Sequence, residues 1–287
     1  MATLRGRLLL GWMPRDEAVR FLTTDCVFDP PIDAAAAEAL WAEARARVDA
    51  LAIRPIAVVQ PLGLSTAEAG HQANFLGFMR SIGVGDVLGL RKVDLRGLVA
   101  RQYYVVTERA ESYAQRLQTP RAWLDEMLPT STAPKQLQAK SQQTGNKTYT
   151  EFDVPHAEFM FGPVQNPAGM FSAQEFLRHV TVMDGADRTY LWAGYHRCFA
   201  RMASAPPAAV PSAVVAVATN VLVTPAPTIA ADGEQTIMGV DPLGLFGAKP
   251  PLFGDFFVEG LFMDVNLRKK RYQLQVHANM VALDDDR

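Results

Sequence analysis

Cysteine is nearly absent from this chain: there are two in 287 residues, Cys26 and Cys198, far apart and outside any Cys-x-x-Cys pair. That excludes a disulfide framework and a cysteine-based zinc site, and leaves two free thiols. An excess of positive charge is missing too. Twenty-eight basic side chains face 30 acidic ones, for a net charge of −2, which excludes a surface built as a whole to hold nucleic acid. Nor are there long hydrophobic runs. Leu8, Leu9 and Leu10 follow two arginines, but the apolar run stops at Met13, before Arg15 and Asp16; a signal peptide needs a longer one. The greasiest stretch, 208–223, is broken by Pro211, Ser212, Thr219 and Asn220, whereas a bilayer span takes about 20 apolar residues. These absences point to a soluble, cytoplasmic protein that does not enter a membrane. Internal repeats, Gly-x-Gly-x-x-Gly, Walker A, Gly-x-Ser-x-Gly and His-Glu-x-x-His are all missing as well.

What is present is enough apolar sequence, 49% of the chain, for a sizeable core. Residues 1–88 read mainly as helices. Asp33 can cap one whose face repeats Ala37, Leu40, Trp41, Ala44, Val48 and Leu51. Ser65 and Glu68 form a capping box ahead of another, which carries Phe75, Leu76, Met79 and Ile82 and ends at Gly83 and Gly85. Strand-like patterns begin near Val87, in "DVLGLRKVDLRGL" and "QYYVV". Thr107 is placed to cap the helix that follows, and Thr119-Pro120 to start another. Residues 130–148 are polar, carry three lysines and no acid, and read as a loop or cationic flap. Ser172 and Glu175 suggest a further capping box. "HVTVM", "TYLW" and "AVVAVATNVLV" read as strands through their β-branched and aromatic residues. The tail alternates with period two in opposite phases on either side of "RKKR".

One stretch carries chemistry: "DGADRTYLWAGYHRCFARM". A strand ends at Ala193, Gly194 permits a sharp turn, and a helix begins near Tyr195. The free N–H groups of a helix start, with the positive end of the dipole behind them, form an anion site. His196 and Arg197 add donors at that end, and Arg201 lies one turn further on the same face. Arginine's forked guanidinium suits phosphate. The same junction also occurs in α/β proteins with nothing bound but water.

Two strands followed by "AGYHR" resemble the signature of the ParB/sulfiredoxin-like superfamily, and "KVDLRGLVARQYYVVTERAESYAQRL" is similar to its opening strand, polar loop and helix. The resemblance spans roughly residues 89–204. It implies an α/β (α+β) fold with a mixed-sheet core, to which a helical region (1–88) and a Pro-rich connector with a C-terminal β extension (205–287) are added. It also implies nucleotide binding, of ATP or CTP, with Gly194 allowing the turn, His196 and Arg197 on the phosphates, Tyr195 and Arg201 beside them, and Gln102 on the polar loop nearby. Sulfiredoxins have their reactive cysteine immediately before the His-Arg pair, where this chain has Tyr195, so sulfiredoxin chemistry is not expected. The β-like tail does not resemble the helix-turn-helix region of chromosome-partitioning ParB proteins.

Mg²⁺-dependent cleavage or transfer of phosphate, by an NTP hydrolase or phosphotransferase, would need a base and a carboxylate for the metal. Asp153, His156 and Glu158 are the candidates, Glu158 as metal ligand; His156 and Glu158 share a face of an extended segment. A solvated strand is the plainer reading of that pattern. Glu108 suits a dipole-stabilising place at a helix start, and His71 and His179, on helical stretches, suit structural roles. Arg268, Lys269, Lys270 and Arg271 form the densest basic run. They fit a solvated strand edge that resists aggregation, or, alternatively, a nucleic-acid contact for a nuclease or DNA-binding protein. A non-catalytic scaffold that keeps the fold is the third reading.

Overall fold

The computed structural model describes residues 3–54, 58–81, 88–130, 139–144, 147–154, 159–163, 171–175, 179–184, 188–218, 228–229, 235–236, 248–268 and 272–279. In chain order the elements are β1 (Thr3–Leu8), α1 (Arg15–Thr24), α2 (Ala34–Asp49), α3 (Thr66–Ser81), β2 (Leu88–Asp94), β3 (Val99–Ala100), β4 (Tyr104–Val106), α4 (Thr107–Arg116) and α5 (Pro120–Met127). Then follow β5 (Ala139–Thr144), β6 (Lys147–Val154), β7 (Phe159–Pro163), β8 (Phe171–Glu175), β9 (Thr181–Asp184), β10 (Thr189–Ala193), α6 (Tyr195–Ala203), β11 (Ser212–Ala218), β12 (Thr228–Ile229), β13 (Gln235–Thr236), β14 (Met263–Arg268) and β15 (Tyr272–Asn279). Helices and mixed sheets together make an α/β fold.

The central element is a five-stranded sheet in the order β2-β11-β9-β10-β3. β11 runs antiparallel to β2 and parallel to β9, β9 and β10 are antiparallel, and β10 is parallel to β3. β11 is apolar at nearly every position, as expected of a strand buried on both faces, and Ala213, Val214, Val215 and Ala216 are all buried. Val93, Val182, Leu191 and Val215 of this sheet join one hydrophobic cluster with Ala110 of α4, Trp123 and Met127 of α5, and Cys198, Phe199 and Ala200 of α6. A second sheet, β14-β1-β4, is antiparallel throughout. Leu8, Val265 and Leu267 from it pack with Leu22 of α1 and Ala37 of α2 in a second cluster.

The predicted caps are largely in place. Ala36 N–H donates to Asp33 Oδ1 at 2.8 Å, and Ala122 N–H to Thr119 Oγ1 at 3.1 Å. The Ser65–Glu68 box is reciprocal, with Ser65 N–H to Glu68 Oε2 at 2.7 Å and Glu68 N–H to Ser65 Oγ at 3.3 Å. Each cap satisfies a helix-start N–H that would otherwise lack a partner. Gly83 and Gly85, expected to end α3, lie outside the described residues.

Residues 1–88 carry α1, α2 and α3, and in addition β1, the middle strand of the second sheet, with β14 and β4 as its neighbours. Three expectations change. Thr107 is the first residue of α4 rather than its cap; Val106 holds the N-cap position without a side-chain bond. Ser172 and Glu175 do not open a helix, because they belong to β8, which pairs with β7; cross-strand pairing outweighs a local capping signal. Within 130–148, residues 139–144 are strand β5, paired with β6 in the antiparallel sheet β15-β6-β5.

Two compact units divide the chain: Met1–Ser131 with Arg178–Thr228 and Thr236–Lys269, and Thr132–Leu177 with Ile229–Gln235 and Lys270–Arg287. They cut across the three regions expected from sequence, since β1 and β14 lie in one sheet. The phase change at "RKKR" has a matching cause: β14 and β15, on its two sides, belong to different sheets.

Candidate functional site

Helix α6 starts where β10 ends, as the sequence implies. Gly194 has φ 99°, the left-handed region that glycine enters without a Cβ penalty. A Cβ there would lie 2.7 Å from Val180 Cγ2 and 3.3 Å from Val180 Cα. Both the turn and the close approach of Val180 therefore require glycine. No side chain caps the helix start.

The side chains that follow reach in four directions. Tyr195 is buried, and its hydroxyl accepts N–H bonds from Arg101 at 2.5 Å and Gln102 at 3.0 Å while donating to Leu191 O at 2.9 Å. Its ring meets Phe253 edge-on at 5.7 Å. Burial pushes the phenol well above the ordinary range, against the two N–H bonds and the charge of Arg101. His196 Nε2 accepts the Val106 N–H at 3.3 Å, so this ring nitrogen is unprotonated. It thereby serves the N-cap residue of α4. Arg197 donates to the Glu126 carbonyl at 2.9 Å, near the end of α5. Arg201 donates from Nε to the Ser212 carbonyl at 3.2 Å, with its guanidinium 5.6 Å from the Trp123 ring; burial lowers its pKa.

The structure thus brings Gly194, Tyr195, His196, Arg197, Arg201 and Gln102 together, but not as a shared side-chain cradle. The contribution of Gln102 is its backbone N–H. Tyr195, His196, Arg197 and Arg201 each hold a backbone group of another element: the 101–102 loop, the start of α4, the end of α5 and the start of β11. Cys198, which follows the box, is fully buried, and burial pushes its thiol up to about 12. A protonated, enclosed thiol is not a nucleophile, consistent with Tyr195 replacing the expected cysteine. Cys26 is buried as well, with its thiol also pushed up to about 12 by burial.

Asp153 lies on β6 opposite Gln273 of β15, in the other compact unit, while His156 and Glu158 lie outside the described residues. Of the basic run, Arg268 ends β14 and gives its N–H to Asp25 O at 2.8 Å; Lys269, Lys270 and Arg271 lie outside the described residues. Glu108 accepts the Arg5 N–H at 3.0 Å, which ties α4 to β1. His71 is buried, with Nε2 2.8 Å from Leu128 O and Nδ1 3.5 Å from Asp125 Oδ1. His179 precedes β9 rather than lying in a helix, and meets the Phe75 ring edge-on at 5.4 Å.

Mg²⁺ takes oxygen ligands, and the groups around the α6 start are a phenol, an imidazole and guanidinia. That donor set does not fit the metal. Among the described residues, no group of three or more His, Cys, Asp or Glu side chains could hold one. Sequence reasoning missed Val180, which fills the space beside Gly194, and Arg101, whose guanidinium lies 4.2 Å over the Trp192 ring. Neither has a local signature, since each meets its partner across the fold. Among the described residues, no helix is long and apolar enough to cross a membrane. Comparison with protein-family models, with curated proteins and with solved structures found no match to this chain.

Proposed function

We propose that this chain binds the phosphates of a nucleoside triphosphate or diphosphate at the start of α6, in the manner of the ParB/sulfiredoxin-like superfamily. The observation that supports this is the uncapped helix start behind a left-handed Gly194. The N–H groups of the first turn have no intrahelical acceptor, and the positive end of the dipole lies behind them. In this reading those amides make the phosphate contacts. Arg197 adds charge at the same end, while His196 and Tyr195 position the helix against α4 and the 101–102 loop. Mg²⁺ would arrive on the nucleotide. Cleavage or transfer of phosphate would need a base from elsewhere, for which Asp153, His156 and Glu158 stand as the candidates.

Thermal melting with ATP, CTP, GTP and ADP tests the proposal. One or more should raise the melting temperature, and Arg197→Ala should weaken that nucleotide about tenfold, as loss of one charge-assisted contact would. If no nucleotide shifts the melt, or the response is intact in Arg197→Ala, the proposal fails. A second reading, a non-catalytic scaffold, draws support from the four side chains of α6 that each hold a backbone group elsewhere. It expects His196→Ala and Arg197→Ala to lower stability with no nucleotide response in any variant.

A further inference from the structure

Arg188, directly before β10, is 2% exposed and among the largest fully buried side chains. Its Nε, Nη1 and Nη2 atoms have no hydrogen-bond partner among the described residues. An arginine cannot discharge itself by losing its proton, and burying an unpaired ion costs several kcal/mol. The guanidinium therefore calls for an acceptor that the described residues do not supply.

The neighbouring carboxylate does not supply it. Strand alternation puts Thr189 and Leu191 on one face of β10 and Tyr190 on the other. Asp184, cross-strand from Thr189, has both oxygens in use: Oδ1 takes the Thr189 hydroxyl at 2.8 Å and Arg91 Nη2, and Oδ2 takes Arg91 Nη1 at 2.7 Å. Thr189 Oγ1 also accepts the Val59 N–H at 3.1 Å. That network closes on the Thr189 side.

We propose that Arg188 forms a binding site for a phosphate group, carried by free phosphate or by a phosphomonoester. All three guanidinium nitrogens of Arg188 lack a hydrogen-bond partner among the described residues, so neither edge of the fork has an acceptor there. Phosphate presents three oxygens and close to two charges at neutral pH, enough to serve both edges, whereas one carboxylate serves one. The site is independent of the α6 proposal, because it rests on a different residue and a different observation.

The test uses the full chain. Inorganic phosphate should raise the melting temperature by roughly 4 °C over chloride at equal ionic strength. Arg188→Met should abolish that response while melting in chloride at or above the wild-type temperature, since a buried unpaired charge is gone. Arg188→Lys, which keeps the charge and loses the fork, should bind phosphate at least about tenfold more weakly. Calorimetric titration of the wild type with phosphate and with glycerol phosphate identifies the source: tighter binding of one names it, and either result supports the site. No heat with either up to about ten millimolar overturns the proposal. So does an intact phosphate response in Arg188→Met, or a melt of that variant far below wild type in chloride, which would mean the guanidinium is already paired within the chain. A nucleotide response that survives in Arg188→Met belongs to α6; the absence of a response to all four nucleotides, with phosphate binding retained in the wild type, refutes the α6 proposal alone.

Discussion

Replacing Tyr195 by Phe removes one oxygen and keeps the ring against Phe253. The lost hydroxyl accepts from Arg101 N–H and Gln102 N–H and donates to Leu191 O. A buried polar group left without a partner costs about 1–3 kcal/mol. Leu191 is buried, but Arg101 and Gln102 are half-buried, so water can reach part of the released loop. The sum is therefore well below three full penalties, and we expect a loss of about 2–4 kcal/mol in unfolding free energy. Urea unfolding followed by circular dichroism should show a lower midpoint with an unchanged slope, since no core surface is newly exposed in the folded state. Amide exchange at Arg101 and Gln102 should accelerate more than at Val182 or Leu191, because the loop is released locally before the sheet opens. A loss under about 0.5 kcal/mol, the scale of a surface substitution, would refute the clamp. So would unchanged exchange at both amides.

Gly194→Ala should cost about 2–5 kcal/mol in the same urea assay, by combining a left-handed non-glycine backbone with overpacking against Val180. Adding Val180→Ala should recover the packing part and leave the backbone part. In native protein both thiols should resist Ellman's reagent at pH 8 and react once urea unfolds the chain, since burial holds Cys26 and Cys198 protonated with pKa values of about 12. Burial alone would raise the pKa of Glu68, but hydrogen bonds from Lys92 and Ser65 outweigh it and hold the carboxyl below 4.5. Its contribution to stability is present above the unfolded value and lost as pH falls through the folded one, so Glu68→Gln should flatten the acid limb of a stability–pH profile. Burial and the charge of Arg197 lower the pKa of His179 below 6.5. The unfolded state then binds more protons just below pH 6.5, so stability drops as pH is lowered through that range, and His179→Gln should remove that slope.

Some elements could be read locally and others could not. Asp33, Ser65 with Glu68, and Thr119 with Pro120 act on N–H groups three residues away, so their helices follow from short-range spacing. β9, β10 and β11 follow from β-branched and aromatic runs bounded by turn residues. By contrast, β1 has no such pattern: its place comes from pairing with β14, some 260 residues later in the chain. The Ser172–Glu175 box has the same local grammar as Ser65–Glu68, yet the first lies in a strand. Capping is worth about 1 kcal/mol, too little to hold against a partner strand.

At the candidate site the division is sharper still. Local residue pattern is enough for the strand, the glycine turn and the helix, because Gly194 between an aromatic strand and an amphipathic run allows little else. It also determined which cationic residues would ride on α6. Where they point depends on distant parts of the fold. His196 finds a donor and Arg197 an acceptor, 90 and 71 residues away, at Val106 and Glu126. Arg188 became visible as a buried charge only once the sheet had closed around it. Local energies choose the backbone conformation over a few residues. A long side chain has several rotamers of similar energy, and the contacts that select one are made by distant parts of the chain.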